Sequence, residues 1–161
     1  MRWMILALLA CGAGMAQTSD WSKLDFLMGK WTGAAGEKDT QIGAGQGAFS
    51  FEADLGGKIV VRKNQANYDS GVHHEDLLVI YREEEKPRAI YFDSEGHVIR
   101  YAVTFPESQR VVFETEAGQA GPRYRLTYWV ESGVLKGRFE MGQGAGEYKT
   151  YMSWSSKRSG K

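Results

Sequence analysis

Apolar and polar residues alternate with a period of two along most of the chain beyond Trp31. The clearest stretch is 123–130, where Tyr124, Leu126 and Tyr128 alternate with polar residues. A period of two is typical of a β-strand with one buried face. Gly, Ser, Asn and Asp residues interrupt the pattern at short intervals, as they do in turns. The chain is therefore predicted to form short strands joined by tight turns.

Ten strands are predicted, each ending at a turn or a Gly-rich loop. They cover residues 30–37, 48–53, 58–68, 73–82, 88–93, 97–105, 110–116, 123–130, 135–141 and 148–155. Such short connections leave little room for crossover helices, so consecutive strands should pair antiparallel. Closing the sheet removes both open edges. We predict an all-β, up-and-down antiparallel barrel of about ten strands, sized to hold a small ligand rather than a water channel.

One segment departs from the strand pattern. Leu24, Phe26, Leu27 and Met28 precede Gly29, which favours a short helix that is capped by a polar residue upstream. We expect this N-terminal helix to plug one end of the barrel, with the following tryptophan packed over that end.

The first sixteen residues are predicted to be an export signal. Arg2 supplies a positive charge, residues 4–10 are apolar, and Gly14 and Ala16 are the small residues that signal peptidase accepts. The apolar run is too short to span a bilayer, which needs roughly 20 residues. We expect a single lipocalin-like domain over residues 17–161, located in the periplasm or secreted.

A second interpretation of the same segment depends on Cys11, the only cysteine. Leu8-Leu9-Ala10-Cys11 resembles a lipobox, in which the cysteine is lipidated and becomes the new N-terminus. The protein would then be a lipoprotein anchored to a membrane through Cys11. Either way no disulfide can form in the chain.

Charge and composition exclude one class of partner. The 161 residues contain 20 basic and 20 acidic side chains, and no long block of like charge. Binding of nucleic acid through a basic face is therefore not expected. We also expect no membrane-spanning segment once the signal is removed.

Several stretches resemble a known family. The apolar turn followed by Gly29-Lys30-Trp31-Thr32-Gly33 resembles the start of nitrobindin-like and other lipocalin-like (calycin) barrels. Three others are similar to an exported bacterial branch known as a domain of unknown function, the DUF1579 type. They are Phe49-Ser50-Phe51-Glu52, His74-Glu75-Asp76-Leu77 and Ile90-Tyr91-Phe92-Asp93-Ser94-Glu95-Gly96-His97-Val98-Ile99. The resemblance covers most of the chain after residue 16.

The resemblance raises haem as a cofactor, because nitrobindin-like proteins bind haem through a histidine on the final strands. This chain departs from that pattern: Tyr151 and Met152 lie there, and no histidine follows His97. Tyrosine and methionine ligate haem in other proteins, which keeps haem open as an alternative. We expect no cofactor.

Two polar groups are candidate sites. His73 and His74 begin a strand and point to opposite faces, so they should not chelate one metal. Asp93, Glu95 and His97 surround a predicted turn. The structural interpretation is a polar strand start and a hairpin capped by Asp93. The functional interpretation is a rim site for a cation or a polar head group, with one histidine facing inward.

Arginine and tyrosine are the other candidates. Small barrels that bind fatty acids hold the carboxylate with buried arginine and tyrosine, because the guanidinium fork matches it. Arg100, Arg125, Tyr101 and Tyr128 are therefore candidates, although Arg100 and Tyr101 cannot both face inward. The alternative is that these arginines are solvated on the outer face.

The sequence favours binding of a small apolar or amphipathic ligand over catalysis. The predicted ligand-binding residues are Arg100, Arg125, Tyr128, His74, His97 and Trp31. No catalytic residue and no metal ligand is predicted. The alternatives are an enzyme that uses the rim histidines and carboxylates for acid–base chemistry, and a carrier of haem or nitrogen oxide by analogy with nitrobindin.

Overall fold

A computed structural model describes residues 20–159, which form a closed barrel of ten antiparallel strands. Each strand pairs with its neighbours in the chain, and the last pairs with the first. The strands are β1 (Gly29–Ala35), β2 (Gly45–Asp54), β3 (Ile59–Tyr68), β4 (His73–Glu83), β5 (Lys86–Asp93), β6 (Val98–Glu107), β7 (Arg110–Thr115), β8 (Arg123–Glu131), β9 (Val134–Gly142) and β10 (Lys149–Arg158). The predicted all-β, up-and-down barrel is confirmed. The predicted export signal and Cys11 lie outside the described residues.

Alternating side chains of every strand fill the barrel. The interior is apolar and aromatic near the chain's N-terminal segment, with Tyr128 at its centre. Its ring lies edge-on to Phe51 at 5.5 Å and to Trp154 at 5.6 Å between centroids. Gly137 pairs with Trp154 across β9 and β10, and a Cβ at Gly137 would collide with the indole. The missing side chain therefore makes the space that the tryptophan occupies.

The expected N-terminal helix is not present, and this prediction is corrected to a three-residue 3₁₀ helix, Ser22–Leu24, followed by a further turn. Leu24 N–H donates to Trp21 O at 2.7 Å, and Leu27 N–H donates to Leu24 O at 2.8 Å. The reason is the spacing of the apolar residues. Positions three apart eclipse in a 3₁₀ turn, and Trp21, Leu24 and Leu27 are all buried.

Two tryptophans attach this segment to the barrel. Trp21 Nε1 donates to Gly57 O at 3.1 Å, in the connection between β2 and β3. Trp31 Nε1 donates to Leu27 O at 2.7 Å, and its ring stacks on Phe49. These contacts place the segment at the barrel end that carries the β2–β3, β4–β5, β6–β7 and β8–β9 turns, which we call the closed end.

The opposite end, which we call the open end, carries the remaining loops and turns, including β3–β4, β5–β6 and β9–β10. Across residues 20–159, helices are too short and too polar to cross a membrane.

Candidate functional site

A cavity of about 460 Å³ lies at the open end of the barrel. One part of its wall is apolar and includes Ile99, Leu126 and Met141. Five tyrosines form much of the remainder: Tyr68, Tyr91, Tyr101, Tyr124 and Tyr151. Its charged side chains come from β3, β4 and the β5–β6 hairpin: Arg62, His74, Asp76, Asp93, Glu95 and His97. The volume falls within the range of small-molecule sites, roughly 300–1,000 Å³.

A buried ion pair forms the floor of this cavity. The Arg62 guanidinium donates to Asp76 Oδ1, and the two side chains are only 6% and 3% exposed. Asn64 Nδ2 donates to the second oxygen, Asp76 Oδ2, at 2.8 Å. Burial opposes the charged form of Arg62, but Asp76 together with Tyr128 and Tyr91 outweighs it and raises the arginine pKa. The Arg62 guanidinium therefore stays charged and forms a buried salt bridge with Asp76.

Arg62 also contacts aromatic rings in the interior. Its guanidinium carbon lies 5.7 Å from the centroid of Phe49 and 5.8 Å from that of Tyr128. Tyr128 lies beside the guanidinium without making a well-formed hydrogen bond, and its hydroxyl is buried. Burial raises the pKa of Tyr128 to about 12. Tyr128, a predicted ligand-binding residue, therefore lies beneath the cavity, outside its lining.

His74 links the ion pair to the cavity rim. Its Nε2 lies 3.2 Å from Asp76 Oδ2 and 3.1 Å from the Tyr91 hydroxyl. Its Nδ1 lies 3.0 Å from Glu95 Oε2. Ionised carboxylates only accept hydrogen bonds, so the doubly protonated imidazolium satisfies both contacts. The hydrogen bond to Asp76, aided by Glu95 and against the effect of burial, raises the pKa of His74.

The β5–β6 hairpin supplies the outer rim. Asp93 Oδ1 accepts from the backbone N–H groups of Glu95 at 3.1 Å and His97 at 2.8 Å, so the predicted turn cap is present. Asp93 Oδ2 lies 2.8 Å from His97 Nδ1. Burial works to raise the pKa of Asp93, but the hydrogen bonds from His97 outweigh it and lower that pKa. Asp93, Glu95 and His97 each have one side-chain oxygen or nitrogen within 4.8 Å of those of the other two. The hydrogen bonds of the turn account for that proximity.

Tyr101 is a buried tyrosine of this wall whose hydroxyl, like Arg62 Nε, has no partner among the described residues. The residue is 0% exposed and lines the cavity, and its hydroxyl makes no hydrogen bond with the described residues. Burial raises its pKa, as it does for Tyr91. Both tyrosines are therefore neutral hydroxyl groups.

Three other predicted ligand-binding residues lie outside the cavity lining. Arg100 is exposed on the outer face, because its neighbours Ile99 and Tyr101 face inward. Arg125 also points outward and donates to both oxygens of Glu140, at 2.7 Å and 3.0 Å. Trp31 belongs to the closed end. Only His74 and His97 of the predicted set line the cavity.

Sequence reasoning missed Arg62, Asn64 and Asp76, although a signal was present. Arg62 and Asn64 are in phase with the buried Val60 on β3, and Asp76 is in phase with the buried Leu78 on β4. Polar residues at positions that face a barrel interior are costly unless they are paired. Such residues in phase with the core pattern therefore indicate a buried polar network.

The alternation of inward-facing and outward-facing residues is interrupted on β10. The pairing of β9 with β10 shifts register between Thr150 and Met152. Because a bulge leaves one residue unpaired, Tyr151 and Met152 both line the cavity although they are adjacent. Tyr68 O–H donates to Met152 Sδ at 3.0 Å, and the Tyr151 ring packs edge-on against Phe139 at 6.2 Å.

The structure shows a closed ten-stranded antiparallel β-barrel with a cavity at its open end. Among solved structures the chain is similar to Rv2717c from M. tuberculosis, with a TM-score of 0.60 and 11% sequence identity. The match covers 86% of this chain and 96% of that one. At this identity the likeness shows the fold alone. No family model matches the chain, and a search of curated proteins finds no match.

Proposed function

We propose that this protein binds a small, mostly apolar or amphipathic ligand in the cavity at the open end. The observation that supports it best is an internal cavity of about 460 Å³ whose wall combines apolar side chains with a few convergent polar groups. That combination is typical of small-molecule sites. The unpaired Tyr101 hydroxyl adds a buried polar group that a ligand would satisfy.

Titration with N-phenyl-1-naphthylamine, an uncharged dye that fluoresces in apolar surroundings, tests this proposal. We expect saturable binding of one dye per chain. Met141→Trp should fill part of the cavity and weaken dye binding at least about tenfold. Val134→Trp is the matched control, because Val134 is exposed at the β8–β9 turn of the closed end.

Circular dichroism establishes that both variants fold, and Leu126→Trp provides a second cavity-filling variant. Leu126 is 4% exposed and also lines the cavity. Absence of saturable dye binding to the wild-type protein would refute the proposal. Equal binding by the cavity-filling variants and the control would refute the location.

Acid–base catalysis is the second candidate, supported by the position of His74 between two carboxylates inside the cavity. Both imidazole nitrogens already contact protein groups, so one contact must break before a substrate proton can be transferred. This argues for binding ahead of catalysis. Turnover of a chromogenic ester that is abolished by His74→Gln, with folding retained, would reverse that order.

Haem is not the ligand that we propose. Residues 148–157 hold no histidine, and the Tyr151 and Met152 side chains contact Phe139 and Tyr68 in the cavity wall. Titration with haem is expected to give no Soret shift that saturates at one haem per chain. A saturable shift that Met152→Leu or Tyr151→Phe removes would contradict us.

We also propose that the protein is related to the DUF1579 type and, more distantly, to nitrobindin. A further part of the proposal is that residues 1–16 direct its export. The segments around Trp31, Phe51 and Asp93 support the kinship, and the residues around Gly14 and Ala16 support the export signal. The mass of the mature N-terminus distinguishes cleavage after Ala16 from lipidation at Cys11. An uncleaved chain in the native host would contradict both.

A further inference from the structure

The charged groups that line the cavity do not match the acidic ligand suggested by the sequence. One guanidinium, Arg62, faces three carboxylates: Asp76, Asp93 and Glu95. Counting the His74 imidazolium together with Arg62, the wall still has three carboxylates against two cationic groups. A carboxylate would enter a site of its own sign, which costs binding free energy.

Arg62 does not compensate the excess negative charge of the wall for an incoming acidic ligand. Its guanidinium is engaged by Asp76, and that carboxylate is in turn held by Asn64 and His74. The Arg62 side chain is only 6% exposed, and a ligand carboxylate that reached its unpartnered Nε would also approach the Asp76 carboxylate. The one buried arginine of the cavity is thus a poor anchor for an anion.

The aromatic content of the wall favours a cation. Five tyrosines and Phe139 line the cavity, and organic ammonium groups bind among aromatic rings through the negative faces of those rings. The parts of β8, β9 and β10 that line it contribute no charged side chain. A cation there would meet aromatic rings on one side and the Asp93 and Glu95 carboxylates on the other.

A second observation points to a ligand independently of charge. The Tyr101 hydroxyl is fully buried in the same wall and has no partner among the described residues. A primary ammonium head carries N–H donors from which this hydroxyl oxygen can accept. An empty apolar cavity would leave it unsatisfied.

We infer that the cavity binds an organic cation, an amphiphile whose ammonium head lies near Asp93 and Glu95 among the tyrosines. This inference rests on the proposed binding function and specifies the class of its ligand.

Three probes that share an eight-carbon tail test the inference: octyltrimethylammonium, octanol and octanoate. Each is measured by calorimetry and by displacement of the uncharged dye at about pH 8, where the carboxyl group of octanoate is ionised. Octyltrimethylammonium is expected to bind at least about tenfold more tightly than octanoate, a difference well above measurement error. Octanol is expected to lie between them.

The outcomes separate the inference from the proposal on which it rests. Octanoate binding as tightly as octyltrimethylammonium would overturn the cation inference and leave the binding function standing. Equal binding of octyltrimethylammonium and octanol would do the same. Failure of all three probes and of the dye would overturn the binding function itself.

A charge variant locates the cation. Glu95 is 41% exposed at the rim, so Glu95→Gln should preserve the fold. It should weaken octyltrimethylammonium, strengthen octanoate and leave octanol unchanged. Glu131→Gln, at the closed end, is the matched control. Equal effects of the two variants would place the cation elsewhere and overturn the assignment.

Acidification gives an independent readout, because the trimethylammonium head keeps its charge at every pH. The titratable groups that face the cavity are His74 and His97, beside Arg62 and the three carboxylates. Protonation of His74, whose pKa is raised by Asp76 and Glu95, removes one net negative charge from the wall. Affinity for octyltrimethylammonium should therefore be lower at a pH below that raised pKa than above it, whereas affinity for octanol should not change. A flat profile for the cation would contradict the inference.

Discussion

The two ends of the barrel are built from the same strands but have opposite interiors. On β3 the inward face changes from Val60 near the closed end to Arg62 and Asn64 near the open end. On β4 it changes from Ile80 near the closed end to Asp76 near the open end. Trp21 and Trp31 at the closed end donate to backbone carbonyls, whereas Arg62, Asp76 and His74 at the open end depend on one another. The closed end therefore stabilises the fold, and the open end keeps a costly polar wall that a ligand can use.

The largest expected effect on stability comes from removing one partner of the buried ion pair at the open end. Arg62→Met leaves Asp76 buried without its main partner, so the free energy of unfolding should fall by about 3–5 kcal/mol. Urea unfolding measures the loss. The double variant Arg62→Met/Asp76→Leu should recover most of it, since no charge is then stranded. A loss below about 1 kcal/mol in the single variant would show that the pair is more solvated than its burial indicates.

A smaller loss is expected at the closed end from Trp31→Phe. The change removes the hydrogen bond to Leu27 O and part of the stacked ring, and it should reduce the free energy of unfolding by about 1–3 kcal/mol. The control is Trp129→Phe, because Trp129 lies on the outer face between Arg110 and Arg138. It should change stability by about 0.5 kcal/mol or less.

Dye binding by Trp31→Phe provides a second test of the difference between the two ends. Folded Trp31→Phe should bind the uncharged dye as the wild-type protein does, because Trp31 is absent from the cavity lining. If folded Trp31→Phe did not bind the dye, Trp31 would belong to the ligand-binding site, as the sequence predicts.

The barrel was more predictable from the sequence than the polar site at its open end. The alternation of apolar and polar residues around Tyr128 and turns such as Ser94-Glu95-Gly96 predict the barrel directly, because each pattern is local. The helix failed because residues 24–28 fit a helical face and a 3₁₀ spacing equally well. The choice depended on Trp21, whose burial is a tertiary effect.

The site was only partly predictable, because it depends on which inward-facing polar residues meet. His74 and His97 could be chosen by residue type, but Asp76 becomes a partner of Arg62 only through the pairing of β3 with β4. Tyr151 enters the cavity through a bulge that no alternation rule foresees. Arg100 and Arg125 were chosen for their chemistry, and the inward positions of their neighbours turned both outward.

The pH dependence of stability offers a third test, of smaller expected size. The pKa of His74 is raised above its ordinary value of 6.5 by Asp76 and Glu95. Its contribution to stability is therefore fully present below about pH 6.5 and is lost as the pH rises through the folded-state pKa. The stability difference between wild type and His74→Gln should be larger at about pH 5.5 than at about pH 9.

The control for that measurement is His73→Gln, one residue away on the outer face. His73 is 54% exposed and contacts Asn67 and Glu75, so its replacement should cost about 0.5 kcal/mol or less. A stability difference for His74→Gln that grows toward high pH would mean that the imidazole is held neutral in the folded protein, contrary to the contacts of its two nitrogens.

The smallest effects should come from the two arginines on the outer face. Arg125 is 33% exposed where it bonds Glu140, so Arg125→Gln should cost about 1 kcal/mol or less, and Arg100→Gln less again. Neither variant should alter the affinity for the dye or for octanoate, because neither side chain reaches the cavity. Loss of octanoate binding in Arg125→Gln, with the fold intact, would mean that the β8–β9 face, and not the open end, recognises an acidic ligand. Unchanged affinities would leave the polar wall around Arg62 and His74 as the part of the barrel that selects what enters.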